Sequence, residues 1–452
     1  MSYIGSTPTT QSFISGTDYF NGTGSQTAFT LSRNVASVND VEAVVNNVVQ
    51  RPNDAYTISG TTITFTSAPS AGTSNIYVRY LSTTTQSITP SQNTVSYSTL
   101  NTDMQSGGYA SNFKNRLING NMTIDQRNAG ASVTPASGTY NNYCVDRFPF
   151  STDGGGGRIT AQQSSTVPAG FSNSLSLTVQ TVDSSIGSGD QYWLEQRIEG
   201  NNVADMGFGT ANASTFTLSF WVRSSVTGTY SISLRSTVGS ARSYVATYVI
   251  NAANTWEQKT ITVAGDTSGT WVTTNSTGLQ VLWDLGSGSN FQGTAGSWQT
   301  ANLYRTSGSV NWISNSGATF FLTGVQLEKG STATSFDYRP YGTELALCQR
   351  YYQQSKASLS VASGSNEVRG MIPLRTQLRA EPSLGKTSGS FKFGDMVSYA
   401  GQSSSTPTIG ETNNDLHVSF VLAGLSGMTT YRTYKHETES SFPALFTMSA
   451  EL

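Results

Sequence analysis

The chain is poor in the residues on which most catalytic and metal chemistry depends. Its 452 residues hold two cysteines, Cys144 and Cys348, and two histidines, His417 and His436. Two thiols so far apart exclude a disulfide framework and a Cys-type zinc knuckle, and both are read as buried thiols. Two histidines leave no His-rich metal site and no relay of His bases, so each is read as an ordinary surface or interface residue. Charged residues make up only 12% of the chain, the formal net charge is −2, and no run of Lys or Arg stands out. That excludes the footprint of a nucleic-acid or anionic-membrane binder. There is no stretch of about 18 apolar residues to insert into a membrane. The segment MSYIGSTPTT has neither the basic start nor the apolar centre of a secretory signal. The expectation is a soluble product with no nucleic-acid partner, no membrane insertion and no cofactor; no set of metal ligands is legible.

What fills the space is Ser, Thr, Asn, Gln and 44 glycines, interleaved with 21 tyrosines and 20 phenylalanines. This is an all-β composition, because aromatic and β-branched residues suit a pleated sheet and the small polar ones suit its turns. A disordered chain of this polarity would lack the aromatics and carry more charge. The length allows two to four domains, each with its own core. A surface of this kind without an export signal points to a particle assembled in a cytoplasm and freed by lysis.

Residues 1–81 read as a small sandwich of short strands: Ala28–Leu31, Val41–Val49, Thr61–Phe65 and Ile76–Leu81, with a tight hairpin at Ser59–Gly60. Ahead of it Tyr3, Ile4 and Phe13, spread among Ser, Thr and Gly, form an arm suited to a partner surface. Residues 82–115 are a polar linker, briefly helical from Leu100. Residues 116–342 carry an Asn119-Gly120 turn, renewed strand character over Tyr143–Phe148, and then eight to ten strands at sandwich spacing. An antiparallel jelly roll fits best. Its last strand, Phe320–Glu328, is expected to place Phe321, Thr323, Val325 and Leu327 on one face. A short helix over Thr343–Tyr352 then leads into a C-terminal β domain, residues 343–452.

Three segments resemble a module found in bacteriophage tail-fibre and appendage proteins. They are NRLINGNMTIDQR with a later DRF, LSFWVRSS with NTWEQKTITVAGDTSGTW, and LTGVQLEKGSTATSFDYRPYGTELALCQRYY. The amino-terminal YIGSTPTTQSF and FNGTGSQTAFTLS resemble the leading domain of phage fibres, and MIPLRTQLRAEPSL with FTMSAEL resembles their ends more loosely. The resemblance implies a carbohydrate-binding-like jelly roll in a virion structural protein, a homotrimer located in the tail. Its first domain would attach to other tail proteins, with Tyr3, Ile4 and Phe13 as candidate contacts, and its distal domains would meet a host-surface glycan. The alternatives are a head or neck decoration protein that binds no receptor, and a tailspike-like polysaccharide depolymerase.

Catalysis has little to draw on. There is no G-x-S-x-G elbow, and Asp153 with Gly154–Gly157 lacks the Gly-Lys-Ser/Thr ending of a phosphate loop. Of the carboxylates that a glycosidase pair might use, Glu195, Glu199 and Asp284, the first two share a strand face about 13 Å apart by strand rise, too far for either mechanism. All three are read as solvated strand charges, and the chain as no enzyme. Sugar binding needs only flat rings with amides and hydroxyls around them. The candidates are Trp298, Tyr304 and Trp312, in polar loops and expected to be exposed, with Trp221 and Trp193 on strands. The other use of such rings, and the commoner one, is to cap a sandwich or fill a subunit interface.

Overall fold

A computed structural model describes residues 16–81, 113–237, 241–395, 399–414, 417–438, 441 and 443–452. Tyr3, Ile4 and Phe13 lie outside the described residues, as does the linker up to residue 112 with its expected helical stretch. The chain divides into two compact units, 1–99 and 100–452.

The first unit is all β: β1 (Thr17–Gly22), β2 (Ala28–Val35), β3 (Val41–Val45), β4 (Val48–Val49), β5 (Tyr56–Phe65) and β6 (Gly72–Tyr80). Four strands form one sheet in the order β1-β6-β3-β4, β2 pairs with β5, and Phe29, Val41, Ile63, Phe65 and Val78 meet in the core between them. Two expectations fail locally. The β-branched run Val41–Val49 is not one strand but a hairpin, turned at Asn46 and Asn47 with φ of 50° and 65°, the left-handed pair that a two-residue hairpin requires. Conversely, Ser59–Gly60 does not turn the chain; β5 runs straight through it.

The second unit is centred on a sandwich of β7 (Thr139–Tyr143), β8 (Pro149–Asp153), β9 (Arg158–Ser164), β10 (Ser174–Thr181), β11 (Gln191–Glu199), β12 (Phe216–Ser224), β13 (Gly228–Ser236), β14 (Arg242–Ile250), β15 (Glu257–Val263), β16 (Thr277–Asp284), β17 (Trp298–Gln299) and β18 (Thr319–Lys329). One antiparallel sheet has the order β15-β12-β18-β10-β9, the other β17-β14-β13-β16-β11-β8-β7. The chain crosses repeatedly between them, as in a jelly roll. The inward faces supply one core, including Phe148, Leu177, Leu218, Phe220, Val281 and Trp283. Tyr143–Phe148 is mostly the bend between β7 and β8, with Arg147 at φ 71°, rather than a strand.

β18 is last in the sandwich sequence but central in its sheet, between β12 and β10. Its alternation breaks. Thr323 pairs with Trp221 and Gln326 with Ser219, so Gly324 and Val325 together oppose Phe220. This is a β-bulge, with Gly324 in the left-handed region at φ 61°. The extra residue moves Val325 and Leu327 onto the same inward face as Phe320 and Leu322. The expected grouping of Phe321 and Thr323 with Val325 is therefore wrong, because parity changes once a residue is inserted.

After the sandwich, α1 (Tyr341–Gln349) leads into a three-stranded and a seven-stranded sheet. Their core gathers Phe391, Phe393, Phe420 and Phe446. These sheets are fastened to the sandwich by polar clasps. Arg350 holds Glu199 through two bonds of 2.9 Å and the Tyr351 hydroxyl donates to it at 2.6 Å. Glu451 meets Arg127 at 2.9 Å and also Arg147, whose guanidinium lies 3.5 Å from the Tyr351 ring centre. Both cysteines are buried free thiols, as expected. His436 is not a surface residue: it is 2% exposed, stacked on Phe393, its Nδ1 accepting from the Ala357 amide at 3.2 Å and its Nε2 facing the Ala444 carbonyl at 3.1 Å.

Two outcomes follow from this packing. Val325→Asp puts a carboxylate into a fully buried site and should cost at least about 4 kcal/mol, removing the main calorimetric transition of the whole chain. Burial pushes His436 down to about 4 from 6.5. The unfolded chain then binds the extra proton between those values, so stability is full above pH 6.5 and falls as pH drops toward 4, by on the order of 3 kcal/mol. NMR of the ring nitrogens should show the neutral form still dominant at pH 5; protonation near 6.5 would mean that the ring is solvated.

Candidate functional site

The outward face of the sandwich's seven-stranded sheet is divided in two by what covers it. Over β13 and β14 it is lined with serines, and the long loop between β16 and β18 lies on them. Ser233 Oγ donates to the Leu303 carbonyl at 2.6 Å, Ser243 Oγ to the Ala301 carbonyl at 2.7 Å, and Ser231 Oγ is 2.5 Å from Ser309 Oγ. These serines alternate with core residues and so read as solvent-facing, yet Ser231, Ser233 and Ser243 are fully buried. They satisfy a loop backbone that would otherwise be starved of partners.

The other half, over β11 and its neighbours, is open. A groove of about 390 Å³ runs along it, with Gln191 and Asp153 toward one end and Arg197, Gln280 and Arg235 toward the other. By strand rise, Gln191 to Arg197 spans about 20 Å. Alternation along β11 aims Trp193, Glu195 and Arg197 at this face, and the register sets Gln280 beside Arg197 on one side and Arg235 on the other.

The wall beneath the loop is aromatic. Tyr304 stacks on Phe291 with centroids 4.3 Å apart and an interplanar angle of 5°, the Arg235 guanidinium lies 4.5 Å from the Tyr304 ring, and its hydroxyl donates to Gln191 Oε1 at 2.9 Å. Trp193 and Leu282 complete this cluster, but Trp193 and Tyr304 are only 4% and 2% exposed. The ring that offers a flat surface is Tyr140, 64% exposed on the facing rim. Sequence reasoning passed over it; the only cue was a tyrosine between a turn and two asparagines in GTYNNY.

Charge in the groove is held from below. Glu195, with no exposure, bonds Arg197 Nε at 2.6 Å and Arg235 Nη2 at 3.3 Å. Arg197 also donates to Asn141 Oδ1 at 2.8 Å and to the Leu452 carbonyl, and Arg235 to Asn302 Oδ1. Three buried lining atoms are left without a partner: Trp193 Nε1, Arg235 Nε and Gln280 Oε1.

The structure thus brings together Trp193 and Tyr304 of the five candidate rings. Trp312 is fully buried and Trp298 half-buried, against the expectation of exposure. Trp312 packs edge-on to Phe320 as a cap on the core, and Trp298 lies between Tyr244 and Trp271 with its indole N–H on the Ala264 carbonyl. Trp221 is on the other sheet, over the bulge. The carboxylates read as solvated charges are buried and paired: Glu199 with Arg350, Glu195 with two arginines, and Asp284 with Arg305 at 3.5 Å. Burial pushes the Asp284 carboxyl up, against the pull of Arg305 and the amides of Ser287 and Gly286. Each is held in a buried ion pair rather than in water. Among the described residues no cluster of three His, Cys, Asp or Glu could hold a metal ion, and no helix is long and apolar enough to cross a membrane. A second depression, about 310 Å³, lies on the terminal sheet beside Arg369, Met371 and Ser419, and its lining includes no exposed ring.

Glu195→Ala would leave Arg235 buried beside a second unneutralised guanidinium. It should lower stability by about 3–5 kcal/mol in urea unfolding, with Glu195→Gln costing less because one hydrogen bond survives. A loss under about 1 kcal/mol would mean that the pair is solvated.

No protein-family model matches the chain, and no curated protein matches it. Among solved structures it is similar to the enzymatically active domain of tailspike protein 4 of bacteriophage CBA120, at 15% identity and TM-score 0.25. That match covers 49% of this chain and only 22% of the tailspike chain. It is also similar to the N-terminal cellulose-binding domain of Cellulomonas fimi β-1,4-glucanase C, at 14% identity and TM-score 0.21, covering 44% of this chain and 90% of that one. A family 11 carbohydrate-binding module from Clostridium thermocellum, solved with a β-1,3-1,4-mixed-linked tetrasaccharide, matches at 9% identity and TM-score 0.22, covering 45% and 89%. Superpositions of this size establish no kinship.

Proposed function

We propose that the chain is a fibre-like structural protein of a phage particle that recognises host-surface polysaccharide through the groove on the sandwich's seven-stranded sheet. The observation that carries the glycan part is the open half-face. It is a long groove with an exposed Tyr140 ring on one rim, Asn141, Asn302 and Gln191 amides around it, and buried polar atoms without partners in its lining. A sugar chain presents the matching set, apolar ring faces together with hydroxyls that donate and accept. The virion part rests on the sequence segments that resemble phage appendages. In this reading the first unit attaches to other tail proteins, the protein is a homotrimer in the tail, and three shallow grooves multiply a modest single-site affinity.

The test is binding of the whole chain to a glycan array and its competition with phage adsorption to host cells. Tyr140→Ala should weaken binding about tenfold, or about 1.4 kcal/mol, with the melting temperature unchanged because the ring is exposed. Undiminished binding would move the site off this groove. Absence of any glycan binding, with the chain located on the head or neck by electron microscopy, would favour a decoration protein. Release of reducing ends from host polysaccharide would favour a depolymerase.

A further inference from the structure

We infer that Asn141 is a positioning residue of the glycan site: it holds Tyr140 on the rim of the groove through a bulge in β7 and a side-chain bond to Arg197. The inference rests on the glycan reading and names the residue that sets its exposed ring.

β7 is the edge strand of the sheet, next to β8. Thr139 pairs with Thr152 and Asn142 with Phe150, so Tyr140 and Asn141 together stand opposite Ser151. Ser151 pairs in turn with Trp193, which lines the groove. Regular alternation would send only one of two consecutive residues to that face; the inserted residue lets both reach it. Both line the groove. The backbone on either side is fixed. The Gly138 amide donates to the Thr152 carbonyl at 2.8 Å, the Thr139 hydroxyl to the Ala136 carbonyl at 2.8 Å, and the Asn142 side-chain amide to the Phe150 carbonyl at 3.3 Å.

The bulge depends on what occupies position 141. Its φ is 56°, in the left-handed region that asparagine enters more readily than most residues with a side chain. The side chain makes a second contribution. Asn141 Oδ1 accepts from Arg197 Nη2 at 2.8 Å, and Arg197 sits on β11, with β8 between the two strands. Glu195, fully buried, holds the same guanidinium at 2.6 Å. The raised edge is thus tied across the sheet to a buried carboxylate. Tyr140 needs this tie because packing gives it little: with 64% of its surface exposed, its place is set by the backbone that carries it. A ring held in place before ligand arrives loses less freedom on binding. Glycine at 141 would keep the backbone conformation and lose the tie; aspartate would keep an acceptor at the same point.

The test uses the full chain and reads the ring and the affinity separately. With fluorotyrosine incorporated, the Tyr140 line in the fluorine NMR spectrum is assigned by its loss in Tyr140→Phe. Asn141→Gly should shift that line toward the position of free fluorotyrosine, and Asn141→Asp should leave it in place. Affinity is read by isothermal titration against dextran, mannan, galactomannan, alginate, hyaluronan and polysialic acid. For the polymers that bind, Asn141→Gly should weaken binding about fivefold and Asn141→Asp less than about twofold. Combined with Tyr140→Ala, Asn141→Gly should add nothing, so the double variant stays near the roughly tenfold loss of Tyr140→Ala alone. An unmoved Tyr140 line or full affinity in Asn141→Gly overturns the inference. So does a double variant weakened about fiftyfold, the product of two independent losses, and so does Asn141→Asp matching Asn141→Gly. Each of these leaves the glycan reading standing. Binding to none of the polymers, together with host-cell adsorption unaffected by the free protein, takes down the glycan reading and this inference with it.

Discussion

The second unit depends on how one irregular point in β18 is closed. A bulge turns a backbone N–H and C=O out of the ladder, and in a buried sheet both must find partners. At Val325 they do so in the segment that leads into the sandwich: its N–H donates to the Gly120 carbonyl at 2.9 Å, and its carbonyl accepts from the Asn115 side-chain amide at 2.9 Å. The approach is so close that a Cβ on Gly120 would lie 2.1 Å from the Val325 oxygen, so only glycine fits there. Asn119 locks the turn by bonding Ile124 in both directions and the Asp146 carbonyl, and its own amide reaches Glu344 on α1. Two of the segments singled out in the sequence, NRLINGNM and LTGVQLEKGSTATSFDYRPYG, are thus the two halves of one joint.

The polar residues of the second half have structural work throughout. Glu328 accepts from the Thr334 amide and hydroxyl, Gln326 from the Asp337 amide, and Asp337 in turn from the amides of Phe113 and Asn115. Arg339 reaches the carbonyls of Asn115 and Leu117 and pairs with Glu344. Phe336 and Tyr338 close over Phe171 above Gly324. These contacts seal the sandwich on the sheet opposite the groove.

Most strands of the sandwich were legible because their apolar residues alternate without interruption, as in Phe216–Ser224 and Gly228–Ser236. The misses share one cause: alternation reports which face a residue is on and not what lies over that face. Ser231 and Ser233 alternate with core residues, yet a loop buries them. Glu195 and Asp284 read as solvated and are buried, Glu195 under Arg197 and Arg235 at the groove floor and Asp284 against the loop residue Arg305. Gly324 reads as one more strand residue, and nothing local announces that its neighbour will oppose Phe220 together with it. The groove was half legible. Trp193 reads as a strand aromatic and Tyr304 as a ring in a polar loop, but Trp298 and Trp312 carry the same loop signal as Tyr304 and lie against or within the core. Tyr140 was missed because its importance comes from a rim that only the folded sheet defines.

The seating of Leu452 on Arg197 bears on the timing of folding. The two residues are 255 positions apart, and Glu451 beside it bridges Arg127 and Arg147 across a similar span. Contacts of such sequence separation form late, since the loop they close must be ordered first. The sandwich can therefore pack with Arg197 held by Glu195 and Asn141 alone, and the groove takes its final electrostatic form only when the terminal sheet docks.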